Sequence, residues 1–166
     1  RGKTIRATTS FLMPDSTTPD GDYIKPQTNP TNTDCWNGKA YTPLNQLTPG
    51  RTKYGTNNNV RIFRYADVLL MNAEAKIKNG KSGDAPFNEV RRRAQMPELT
   101  NVTFEQVIDE RRMELVCEWG ERYNDLVRTG LAKTELKGWS EDKALLPLPF
   151  NQYTQIPDLL KEPKDE

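Results

Sequence analysis

The chain has 166 residues, with 24 Lys and Arg against 23 Asp and Glu, a net charge of +1, and 34% apolar residues. That balance leaves no electrostatic footprint for nucleic acid or an acidic lipid surface, and no apolar run approaches the roughly 18 residues of a membrane span. Histidine is absent, which removes His-based triads, most zinc sites and the Glu-x-x-His motif of di-iron bundles, so no metal and no cofactor is expected.

Residues 1–59 read as an irregular segment, punctuated by Pro14, Pro19, Gly21, Pro26, Pro30, Gly38, Pro43, Pro49, Gly50 and Gly55. Short extended runs are expected over 3–13, where Ile5, Ala7, Thr9 and Phe11 alternate with other residues, and over 22–25. Asp20-Gly21-Asp22 lacks the further ligand positions of a calcium loop and reads as a turn. A structureless stretch this long is unusual inside a compact domain, so 1–59 is expected to pack on the helical remainder, 60–166.

Residues 60–79 predict the first helix: Ile62, Ala66, Leu69, Leu70, Ala73 and Ile77 form one stripe. Ala66 and Ala73 permit close approach of a second helix, and Gly80 marks the stop. Residues 84–95 predict the second, with Asp84 as N-cap, Pro86 in the first turn, and Phe87, Val90 and Ala94 inward. The Arg91–Arg93 run reads as a solvated face with one inward arginine. Thr103 with Gln106 has the form of a capping box opening a third helix, which Gly120 breaks. Residues 121–129 continue as a short helix that Gly130 terminates. Leu145-Leu146-Pro147-Leu148-Pro149-Phe150 reads as an extended strap over the helices, because alternating prolines deny it a place inside a sheet. Residues 151–166 read as a tail. The overall class is mainly α: helical hairpins, long irregular loops and a proline-rich C-terminal strap.

The charges of the third helix fall in an unusual place. At about 100° per residue, Phe104, Ile108, Leu115 and Trp119 form one apolar face, and Arg111 and Glu118 lie inside it with Glu114 at its edge. Charges on a core face demand partners. Arg111, Glu114, Glu118, Arg122, Asp125 and Arg128 are therefore expected to form a structural ion network. Glu114 and Glu118, one turn apart, have the spacing of a glycosidase pair. Flanking arginines would hold both ionised, however, where a general acid needs a raised pKa, so no catalysis is expected. For ligand binding the candidates are loop aromatics, whose faces stack on sugar rings: Trp36 with Asn37 and Tyr41, and separately Trp139. Cys35 and Cys117 make no disulfide framework.

Three pieces occur in a telling order: RYADVLLMNAEA at 64–75 followed by FNEVRRRAQMP at 87–97; DERRMELVCEWGERYNDLVRTG at 109–130; and ALLPLPFNQY at 144–153. Together they resemble the C-terminal part of the SusD/RagB family, over about residues 52–156. The resemblance implies a fold of tetratricopeptide-like hairpins and a lipoprotein on the extracellular face of the outer membrane. It implies binding of glycan, or in some members peptide, for delivery to a TonB-dependent (SusC-like) transporter, without catalysis. The alternative it leaves is a helical-repeat scaffold that docks the transporter, with ligand contacts elsewhere. The chain is expected to be a portion of a longer protein, reaching the membrane only through a lipid anchor that this stretch does not contain.

Overall fold

The computed structural model describes residues 4–26, 35–50, 59, 61–119, 121–145 and 149–155. It divides into two compact units, Arg1–Asn124 and Asp125–Glu166. The architecture is mainly α, with only two-residue strands among the described residues.

The first unit begins with a correction. The run expected to be extended over 3–13 starts as helix α1 (Ile5–Ser10) and becomes strand β1 only at Phe11–Leu12. Local hydrogen bonds decide this. The Thr4 hydroxyl accepts the Ala7 N–H at 3.3 Å, and the Thr8 and Thr9 hydroxyls each fold back on the Ile5 carbonyl at 3.0 Å. Such side-chain-to-backbone bonds compete with strand formation and are invisible to alternation. The run at 22–25 does hold a strand. There β2 (Ser16–Thr17) pairs antiparallel with β3 (Tyr23–Ile24), Ser16 opposite Ile24. The intervening Asp20-Gly21-Asp22 is a turn: Gly21 has φ +93° and its N–H meets the Thr18 carbonyl at 3.0 Å. β1 pairs antiparallel with β4 (Trp36–Asn37), Phe11 opposite Asn37. Gly38 follows, its N–H on the Ser10 carbonyl at 2.9 Å, and a Cβ there would strike the Thr9 carbonyl.

Three helices carry the core. They are α2 (Tyr65–Lys78), α3 (Asp84–Arg93) and α4 (Phe104–Glu114), with α2 packed against both α3 and α4. Ala66, Leu69, Leu70 and Ala73 of α2 are buried with Phe87 and Val90 of α3, Val102, and Val107 of α4. Burying them is the main favourable term, about 1.5–3 kcal/mol for each large aliphatic or aromatic side chain. Gly83 lets α3 start against α2, because a Cβ there would lie 2.9 Å from both the Ala73 carbonyl and the Ile77 side chain.

The boundaries differ from those expected in three instructive ways. α2 starts at Tyr65, not near residue 60, because Arg64 is extended (φ −126°, ψ 151°) and its side chain reaches away to α4. Ile62, expected in the core stripe, is left exposed. Asp84 is the first residue of α3 and not its N-cap, which is Gly83. Its carboxylate instead accepts the N–H groups of Asn101 and Val102 at 3.0 and 2.9 Å, stitching α3 to the loop before α4. These two backbone bonds hold the Asp84 carboxyl below its ordinary pKa. Finally, α4 opens on the Thr103–Gln106 capping box but ends at Glu114, six residues before the expected break. Cys117, with φ +64°, carries the turn that follows.

α5 (Glu121–Arg128) runs through the division between the units. Gly130, with φ +74°, ends it. In the second unit follow α6 (Ala132–Glu135), a 3-10 turn at Glu141–Ala144 and α7 (Phe150–Gln155). Part of the expected tail is thus helix. The centre of the proline-rich strap, 146–148, and the tail beyond 155 lie outside the described residues.

Candidate functional site

α4 and the turn after it present three carboxylates at four-residue spacing. Glu110 accepts Arg6 at 2.6 Å and Arg91 at 2.7 Å. Glu114, only 2% exposed, accepts Arg64 Nη1 at 3.0 Å and Arg93 Nη2 at 2.5 Å, with Arg6 Nη2 at 3.1 Å from its other oxygen. Glu118 is gripped by a fork, Arg64 Nε at 2.7 Å and Nη2 at 2.9 Å, and by Lys39 Nζ at 2.6 Å. Planar bidentate pairing of this kind is the strong form of the ion pair. It joins α1, the loop after β4, and the residue before α2 to one end of α4.

The same cations explain where α4 stops. The last carbonyls of a helix lack internal partners. Here the Glu114 carbonyl accepts Lys39 Nζ at 2.5 Å and Arg64 Nη2 at 3.0 Å, and the Cys117 carbonyl accepts Asn37 Nδ2 at 2.8 Å. Positive charge at a helix C-terminus is also favoured by the helix dipole. The chain then turns, and the Glu118 carboxylate swings back to the cations that cap the helix.

The residues singled out from the sequence separate into groups. Glu114 and Glu118 meet at Arg64. Arg111, buried, pairs instead with Asp67 of α2 at 2.6 Å, and lies 3.8 Å from Glu121. Asp125 and Arg128 pair with each other at 2.6 Å in the second unit, and Arg122 is half-buried in α5. Of the cations that hold Glu114 and Glu118, Arg6, Lys39 and Arg64 were not among the site residues expected from the sequence, and Arg93 was expected only within a solvated arginine run. Burial pushes the Glu118 carboxyl up, but the hydrogen bonds and charges of Arg64 and Lys39 outweigh it and hold the pKa below the ordinary 4.5. Burial lowers the Arg64 pKa, yet its bonds to Glu118 and Glu114 outweigh that and raise it.

Over this cluster lies an open groove of about 1040 Å³, entirely within the first unit. Arg6, Ser10, Glu114 and Glu118 contribute to its lining, together with Arg61, Arg64 and Arg93, the Lys39–Pro43 stretch and Trp119. Trp119 was expected on the apolar face of the third helix. Because α4 ends at Glu114, it leaves that face and is 61% exposed, its indole N–H on the Arg61 carbonyl at 2.6 Å. A helix-breaking turn between Leu115 and Trp119 was the missing signal, and it has no glycine or proline to announce it.

Tyr41 lines the same groove, with its hydroxyl hydrogen-bonded to Asp22 and, at 3.3 Å, to Thr18. The Asp22 carboxylate also accepts the Leu44 N–H at 2.8 Å, so Tyr41 is anchored by the turn between β2 and β3. Burial first, then the bond to Asp22, raises the Tyr41 pKa. Trp36 is 49% exposed on β4. The Asn37 amide is occupied by backbone, donating to the Cys117 carbonyl and accepting the Lys39 N–H at 2.9 Å. Trp139 is half-buried in the second unit. Among the described residues no group of three or more His, Cys, Asp or Glu side chains is arranged to hold a metal ion.

Comparison with known proteins agrees over nearly the whole chain. The family model described as the SusD family matches residues 6–158, reaching well before the stretch whose motifs carry the likeness. The chain is 33% identical over 119 residues to the SusD-like protein P38 of Formosa agariphila, a match covering 61% of this chain and 24% of that protein. It is 36% identical over 81 residues to the starch-binding protein SusD of Bacteroides thetaiotaomicron, covering 48% of this chain and 14% of that one. Surface glycan-binding protein A from Bacteroides uniformis superposes with a TM-score of 0.70 at 26% identity, over 96% of this chain and 38% of its own. These matches span about a quarter and a seventh of the two curated relatives. With the family model matched from α1 through α7, the chain belongs to the SusD family.

Proposed function

We propose that this chain contributes to capturing nutrient oligosaccharide at the cell surface and passing it to a TonB-dependent outer-membrane transporter, with no bond broken. The observation that carries the reading is the open groove, whose lining includes an exposed indole pinned by its N–H and the anchored Tyr41. Sugar C–H faces stack on such rings while flanking polar groups take the hydroxyls. The names of two relatives, a starch-binding protein and a surface glycan-binding protein, support it. Arg64 and Lys39 hold the Glu118 carboxyl below its ordinary pKa, which does not suit it to the acid role in glycoside hydrolysis, where the carboxyl must keep its proton. The proposed location is the extracellular face of the outer membrane, reached through a lipid anchor; no helix among the described residues is long and apolar enough to cross a membrane. Trp36 and Trp139 are proposed as further stacking positions. The ion pairs from Arg6 and Lys39 support the proposal that 1–59 packs on the helical region.

A second reading is a scaffold that docks the transporter, with ligand held elsewhere. Exposed Ile62, Phe63, Tyr65, Val68 and Met71, at and before the outer side of α2, favour it. Affinity electrophoresis in gels containing soluble glycans separates the two. Retardation that falls at least about fivefold in Trp119→Ala, with an unchanged melting temperature, supports capture at the groove; a loss of this size is about 1 kcal/mol, within the range of an aromatic stacking contact. Retardation equal in wild type and variant moves ligand contact away from the groove.

A further inference from the structure

The groove is built for charge as well as for stacking. Five cationic side chains line it, Arg6, Lys39, Arg61, Arg64 and Arg93, against two carboxylates, Glu114 and Glu118. Glu110 takes part of the Arg6 charge, yet the cations stay in excess. The chain as a whole is nearly neutral at +1, so this surplus is local.

Two further observations point the surplus at a ligand. Arg61 is exposed, and its guanidinium has no partner among the described residues, while its carbonyl holds the Trp119 indole at 2.6 Å. That bond joins two neighbours in the lining of one groove, a residue with a free guanidinium fork and a residue with an exposed ring. In the same lining, Arg6 Nε, Ser10 Oγ and Glu114 Oε2 are buried without a hydrogen-bond partner, the last within ion-pair distance of Arg6 Nη2 at 3.1 Å. Orphaned buried donors are uncommon and call for a partner.

We infer that the groove prefers anionic sugars: a pyranose stacked on Trp119 with its carboxylate or sulfate ester on Arg61. Guanidinium presents parallel N–H donors that match the oxygens of either group. The inner cations add long-range attraction, only partly screened at physiological salt. A neutral glucan offers no acceptor of this charge and gains the stacking contact alone. The inference rests on the glycan-capture reading and specifies the substrate class of the same groove.

The test measures binding of the 166-residue chain to three polymers in 0.1 M salt by affinity electrophoresis and calorimetry: polygalacturonate, a sulfated galactan and neutral amylose. The expected result is at least tenfold tighter binding to one of the two anionic polymers, weakening as salt rises. The polymer preferred tells carboxylate from sulfate. Arg61→Ala is expected to bring the anionic affinity down towards the neutral level, with an unchanged melting temperature because Arg61 lies outside the carboxylate cluster. Equal binding to neutral and anionic polymers overturns the anionic preference and leaves glycan capture standing. Absence of binding to all three overturns capture by this chain, and the preference with it.

Discussion

Replacing Glu114 by alanine removes the carboxylate on which three cations converge. Its side chain is 2% exposed and receives Arg64 at 3.0 Å, Arg93 at 2.5 Å and Arg6 at 3.1 Å. Breaking a buried pair by removing one partner costs about 3–5 kcal/mol, because the other charge is stranded. The partners here are not equally stranded. Arg93 is 62% exposed and returns to water, Arg64 keeps its fork on Glu118, and Arg6 keeps Glu110. The loss therefore belongs at the lower end, about 3 kcal/mol. At about 2–4 °C per kcal/mol for a chain of this size, the melting temperature falls by about 6–12 °C, read by circular dichroism on the 166-residue chain. Arg92→Ala is the control, since Arg92 pairs with Glu98 at 2.9 Å with both partners more than half exposed, and exposed pairs contribute little. A Glu114→Ala melting temperature within about 2 °C of wild type would refute the convergence of charges as a source of stability.

Two further outcomes follow from the same structure. Leu70 is wholly buried at the centre of the α2–α3–α4 core, so Leu70→Ala should cost about 2–5 kcal/mol in urea unfolding, while Leu44→Ala, at an exposed site, should leave the midpoint unmoved. Acid should weaken the cluster through Glu118. Its carboxyl is held below 4.5 when folded, so its stabilisation is fully present above the unfolded value and is lost as pH falls through the folded one. Unfolding followed from pH 7 to pH 3 should steepen below about pH 4.5; Glu118→Gln should flatten that limb, and an identical slope would contradict the linkage.

Much of the helical core was legible from local signals. The stripe through Ala66, Leu69, Leu70 and Ala73, the inward Phe87, Val90 and Ala94, the Thr103–Gln106 box, and the glycines at 80 and 130 all act within a few residues of themselves. Each is stated by spacing alone, and two of the three motifs that announced the SusD family, at 64–97 and 109–130, fall along the same stretch of chain. The helix α1 was not legible, because threonine hydroxyls bonding to their own backbone imitate no periodic pattern.

The candidate site was legible only in part. Helical spacing marked Glu114 and Glu118 as carboxylates that need partners, and residue type in a loop marked Tyr41 as a candidate aromatic. It could not name the partners. Arg6 meets Glu110 across 104 positions of sequence, Lys39 meets Glu118 across 79 and Arg64 meets Glu114 across 50. Nor could it place the end of α4, because Lys39 and Arg64 cap that end from outside the helix. The position of Trp119 follows from that end: an unbroken helix buries it, and a helix stopped at Glu114 turns it outward into the groove. The sequence by itself determined the three core helices, most of their inward positions and the family, since those depend on periodicity and near-neighbour hydrogen bonds. Only the tertiary structure decided which cations hold the carboxylates, where the central helix stops and which aromatic faces the groove. Those are contacts between segments that chain order keeps apart, and folding alone brings their charges within reach.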